Sequence, residues 1–107
     1  MAREPVRRIA AAAALLAAVA EPSFAAGDPE AGRMLATALC GRCHALGPSD
    51  PSPLPAAPPF RTLRESYPIE SLAEGLAEGL VTGHPAMPEV QLEPAAIADL
   101  LAFLEGL

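Results

Sequence analysis

The chain has 107 residues, room for one domain, and carries a formal net charge of −6 at pH 7. Such acidity repels phosphates, so it excludes nucleic acid as a natural partner and disfavours anionic lipid. The only two cysteines stand two residues apart, where a disulfide would close too short a loop to stabilise much through chain entropy.

At the amino end, Arg3, Arg7 and Arg8 precede an apolar run from Ile9 to Ala20, then Glu21, Pro22 and the small-residue pattern Ser23-Phe24-Ala25. That order predicts a secretory signal peptide over residues 1–25. Twelve apolar residues fall short of the roughly 20 that span a bilayer, so no stable membrane insertion is expected after cleavage. Residues 26–107 would remain as the mature domain, with four arginines against eleven acidic residues and a net charge of −7. A domain of that size usually needs a staple or an extra core, such as a metal or a cofactor.

Asp28-Pro29-Glu30 predicts a helix start, with Asp28 as N-cap and Pro29 at the first helical position. The helix should reach about Leu39 on an apolar stripe of Ala31, Met34, Leu35, Ala38 and Leu39, with Met34 in the core. Gly32 either marks a close helix crossing or is a tolerated cost of the order of 1 kcal/mol relative to alanine.

Next come Cys40-Gly41-Arg42-Cys43-His44, the attachment signature of c-type haem. Two thiols on one face of a helical turn can each form a thioether with a vinyl group, and the following imidazole can reach the iron. From Pro48 to Pro59 the chain holds six of its thirteen prolines, which predicts an ordered, non-helical loop. A carbonyl there, at Pro58 or Pro59, could accept the ring N–H of His44 and fix its tautomer.

Phe60 to Ser66 suggests one or two helical turns. From Ile69, the spacing of Leu72, Ala73, Leu76 and Leu80, with Glu70, Glu74 and Glu78 facing away, predicts an amphipathic helix weakened by its glycines. The loop Val81 to Pro88 follows, and its Met87, stiffened by Pro85 and Pro88, is the candidate second axial ligand. Its alternatives are Met87 as core filler and His84 as the ligand in its place. Glu93-Pro94 opens the last helix, which should run to about Glu105 with Ile97, Leu100, Leu101 and Leu104 on one face and Asp99 and Glu105 in water. Leu92 is placed to staple onto Ile97, and Phe103 to pack where Gly32 admits a close approach.

The seven β-branched residues of the mature part never alternate in a run, so no strand is convincing. A Cys-x-x-Cys thiol oxidoreductase would therefore lack its usual βαβ frame. A zinc site from Cys40, Cys43 and His84 lacks a fourth ligand at normal spacing.

The motif from Cys40 to His44, the loop from Gly83 to Pro88, Gly32 and the closing helix with Phe103 together resemble the class I c-type cytochromes, the small single-haem proteins of bacterial periplasms. The resemblance covers essentially residues 26–107, and it departs from the family where Ala36 stands in place of an aromatic residue. It implies an all-α, cytochrome c-like fold of three to four short helices around one covalent haem c, with a Pro-rich loop. By the same resemblance, Cys40 and Cys43 are the thioether attachments, His44 the proximal and Met87 the distal iron ligand, and Gly32 meets Phe103 at the crossing of the first and last helices. Tyr67, Arg61 and Arg64 are the candidates to bond the haem carboxylates. The implied role is periplasmic electron transfer without catalysis, by a monomer or a subunit of a redox complex, with redox proteins as partners. Alternatives are an electron-accepting subunit of a periplasmic dehydrogenase or oxidase, and a haem gas sensor if Met87 is labile.

Overall fold

A computed structural model describes residues 2–3, 11–15, 27–80 and 86–107. Most of the expected signal peptide, its cleavage point, and His84 lie outside the described residues. Among the described residues no helix is long and apolar enough to cross a membrane.

The described fold is all-α. Helix α1 spans Pro29–Leu39, α2 spans Leu72–Glu78 and α3 spans Pro94–Glu105, with 3-10 turns at Phe60–Glu65 and Ile69–Ser71. The only β-type pairing among the described residues is a single antiparallel bridge between Leu80 and Val90. Both long helices begin where their prolines predict. Asp28 is the N-cap of α1 and its carboxylate accepts the Glu30 backbone N–H at 2.9 Å, while Pro94 opens α3 behind Glu93. Helix α2 is shorter than its apolar periodicity suggests. It is entered through the Ile69–Ser71 turn and ends at Gly79, whose φ of 108° is a left-handed conformation that glycine adopts without strain.

Helices α1 and α3 cross at Gly32. A Cβ built there would lie 1.9 Å from the Asp99 carbonyl oxygen and 2.9 Å from Phe103 Cβ, so only a hydrogen fits between the helices. Gly27 is pressed onto the Ala98 carbonyl in the same manner, and the Asp28 backbone N–H donates to Asp99 Oδ1 at 2.8 Å. Asp99 is thus half-buried and ties the start of α1 to the middle of α3, rather than standing in water as its sequence position suggested.

The close crossing also rotates α1 from the face expected. Gly32 and Ala36 are its buried residues, whereas Met34 is 63% exposed and not part of the core. The remaining core combines Phe60, Leu63, Ile69, Leu76, Ile97, Leu100 and Leu104, with Leu92 packed against it. Burying each Leu, Ile or Phe contributes roughly 1.5–3 kcal/mol. Ala36 is fully buried within this core.

Candidate haem site

Helix α1 ends in the turn that carries the cysteines. The Ala36 carbonyl accepts both the Cys40 and Gly41 backbone N–H groups, at 2.7 and 2.9 Å. The Cys40 carbonyl then accepts from Cys43 and His44, at 3.2 and 3.0 Å. One helical turn therefore carries both thiols and the imidazole, as the two-residue spacing requires.

The Pro-rich loop clamps this turn. Leu54 N–H donates to the Cys43 carbonyl at 3.1 Å, Ala45 N–H to Ser52 Oγ at 3.0 Å, and Phe60 N–H to the Ala45 carbonyl at 3.0 Å. Arg61 Nη1 donates to the carbonyls of Asp50 at 2.7 Å and Gly47 at 3.3 Å, which fixes the loop from its far side. His44 Nδ1 lies 2.8 Å from the Pro58 carbonyl oxygen, the first of the two acceptors anticipated. A carbonyl only accepts, so the contact places a proton on Nδ1 and selects the tautomer whose lone pair is on Nε2, where a metal could be held. The Phe60 ring holds the imidazole from the side, with centroids 4.9 Å apart and planes tilted by 41°.

Cys40, Cys43, His44 and Met87 all line one cavity of about 690 Å³. Its deep wall is apolar, built from Phe60, Leu63, Leu76, Leu100 and Leu104, and its rim from exposed Leu39, Arg42, Leu54 and Tyr67. The volume lies in the range of about 300–1,000 Å³ that small-molecule and cofactor sites occupy. Met87 joins the cavity from the segment between α2 and α3, which the Leu80–Val90 bridge and the bond from Leu92 N–H to the Leu76 carbonyl hold against α2.

The donor set fits a c-type haem. Two unpaired thiols, an imidazole of fixed tautomer and a soft thioether face one apolar space large enough for a cofactor. Burial pushes the Cys40 thiol up, opposite to the depression that activates a redox-active Cys-x-x-Cys pair. Among the described residues no three His, Cys, Asp or Glu side chains are grouped to hold a bare metal ion.

Two of the residues expected near the haem carboxylates have other tasks. Arg61 is committed to the loop carbonyls, and Arg64 Nη2 donates to the carbonyls of Leu104 and Glu105, at 3.1 and 3.3 Å. It thereby brings positive charge to the negative end of α3, whose own last turn has no basic residue. Tyr67 does line the cavity. Arg42 lines it too, although as one of the two spacer residues between the cysteines it had not stood out from the sequence. Its position inside the attachment motif was the available signal. No protein-family model, curated protein or solved structure matches the chain.

Proposed function

We propose that this chain is an exported electron carrier of the class I c-type cytochrome kind, holding one covalent haem between His44 and Met87 in the bacterial periplasm. The observation that carries this reading is the convergence of Cys40, Cys43, His44 and Met87 on one apolar cavity, together with the bond that frees His44 Nε2. Haem supplies reversible one-electron transfer between ferric and ferrous iron.

The chain's own groups do the rest. Cys40 and Cys43 would hold the group by adding S–H across its vinyl groups, each thiol forming one C–S and one C–H bond as the vinyl π bond is lost, with no oxidant needed. His44 donates through Nε2 while Pro58 holds its ring. Met87, a neutral sulfur donor lining the cavity, would favour the ferrous state and raise the reduction potential if it held the iron. The wall of Leu76, Leu100 and Leu104 excludes water and lowers the local dielectric, which also favours the less charged form. Were His44 and Met87 both to hold the iron, no open position would be left for substrate, and the chain would carry electrons without catalysing a reaction.

A reduced-minus-oxidised spectrum of protein exported by cells that attach haem tests this. Expected are c-type bands with a sulfur-to-iron band in the far red, and no carbon monoxide binding by the ferrous protein at neutral pH. Rapid, tight carbon monoxide binding would contradict the carrier reading.

A further inference from the structure

Helix α2 is capped by the segment that carries Met87. A helix leaves its last carbonyls without partners of its own, and the last turn of α2 holds no basic residue to meet them. Two are met from the segment that precedes α3. The Leu76 carbonyl accepts Leu92 N–H at 2.8 Å, and the Ala77 carbonyl accepts Gln91 Nε2 at 3.1 Å. Just past the helix, Leu80 N–H donates to the Val90 carbonyl at 2.7 Å. Three consecutive residues, Val90, Gln91 and Leu92, thus dock on the end of α2, and Met87 stands three residues before the first of them. Pro88, restricted in φ, follows Met87 directly and leaves little slack between it and the dock.

Building on the proposed haem, we propose that Gln91 is a positioning residue for Met87: its amide ties the Met87 segment to the end of α2, so that drawing Met87 out of the cavity means opening the α2 cap. Gln91 supplies the side-chain bond of this dock, and its exposure shows that it is not held there by burial. The chemistry asks for an amide. A carbonyl only accepts, so Gln91 must turn its NH2 to Ala77, whereas a carboxylate of the same shape has no proton to give. That carboxylate would also stand at the negative end of α2. How firmly Gln91 holds therefore sets how readily a competing ligand displaces Met87, which is the difference between a closed electron carrier and an open iron site.

The test uses the haem-loaded ferric protein and imidazole, a neutral ligand that competes with Met87, with loss of the far-red sulfur band as the readout. Gln91→Leu removes the donor without adding charge, Gln91→Glu keeps the shape without the donor, and Gln91→Lys supplies a donor again. Thr37→Val is the control, because it removes an exposed bond of the same kind, from Thr37 Oγ1 to the Arg33 carbonyl, on α1. Gln91→Leu and Gln91→Glu should bind imidazole about two- to ten-fold more tightly than wild type, the range that one neutral hydrogen bond spans. Gln91→Lys and Thr37→Val should stay within about 1.5-fold of wild type, less than such a bond contributes. Amide exchange at Leu80 and Leu92 should quicken in the Leu and Glu variants by a similar factor, a readout that does not pass through the iron. If both variants bind imidazole as wild type does, even with a lowered urea midpoint, Gln91 serves only the fold and the proposal is overturned while the haem reading stands. Wild-type protein without covalent haem, or without the sulfur band, would overturn that reading and the proposal with it.

Discussion

His44 Nδ1 and the Pro58 carbonyl oxygen lie 2.8 Å apart, and the fourteen residues from Ala45 to Pro58 include five prolines. The loop's stiffness is what makes the contact useful. A proline already restricted in φ gives up little further freedom when its carbonyl is aimed at the imidazole. Pro58→Ala keeps the carbonyl and should leave the visible spectrum unchanged, while costing about 0.4–1 kcal/mol through the freer unfolded chain. Urea titration beside a spectrum checks both parts.

The α1–α3 crossing is the least tolerant contact in the fold. Gly32→Ala puts a methyl where the Asp99 carbonyl and Phe103 Cβ already are. The helix-propensity gain, at most about 1 kcal/mol, cannot offset a clash with backbone. We expect a net loss of about 1–3 kcal/mol by denaturant titration. Gly41→Ala, whose nearest new contact would be the Thr37 carbonyl at 3.0 Å, should cost much less.

Met87→Ala separates cofactor attachment from electron transfer. Cys40, Cys43 and His44 lie on another segment, so the haem should stay bound. The far-red sulfur band should vanish and the ferrous variant should bind carbon monoxide. The potential should fall by on the order of 100 mV, part of the roughly 0.8 V that axial ligands command. An unchanged band and potential would remove Met87 from the iron.

The first turn of α1 carries a small pH dependence. The Arg33 guanidinium, hydrogen-bonded to the Glu30 carboxylate, lowers the Glu30 pKa, and the pair is exposed to solvent. Because the folded pKa is depressed, the stabilisation is present above the unfolded carboxylate value of about 4.3 and fades as pH falls below it. Helicity of wild type should therefore fall slightly more than that of Glu30→Gln between pH 5 and pH 3, and less so in high salt.

The helix ends were legible because caps are local. Asp28-Pro29 and Glu93-Pro94 act within one turn of themselves, and α1 and α3 begin where they stand. The Gly32–Phe103 crossing and the His44–Pro58 pairing followed from the resemblance and from the chemistry of a ligand imidazole. The buried face of α1 did not. It consists of glycine and alanine, which hydrophobic periodicity undervalues, while Leu35, Ala38 and Leu39 turn to the cavity and Met34 to solvent. The backbone partners of Arg61 and Arg64 were illegible for a different reason. Their partners are main-chain carbonyls 11 to 41 residues away, and a carbonyl leaves no mark in a sequence.

Mass spectrometry of the exported protein, with the peptide containing Cys40 and Cys43 isolated, tests the haem site most directly. The expected result is a chain that has lost residues 1–25 and gained the mass of one haem, carried on that peptide through both cysteines. A folded, exported protein with Cys40 and Cys43 as free thiols or joined to each other would contradict it.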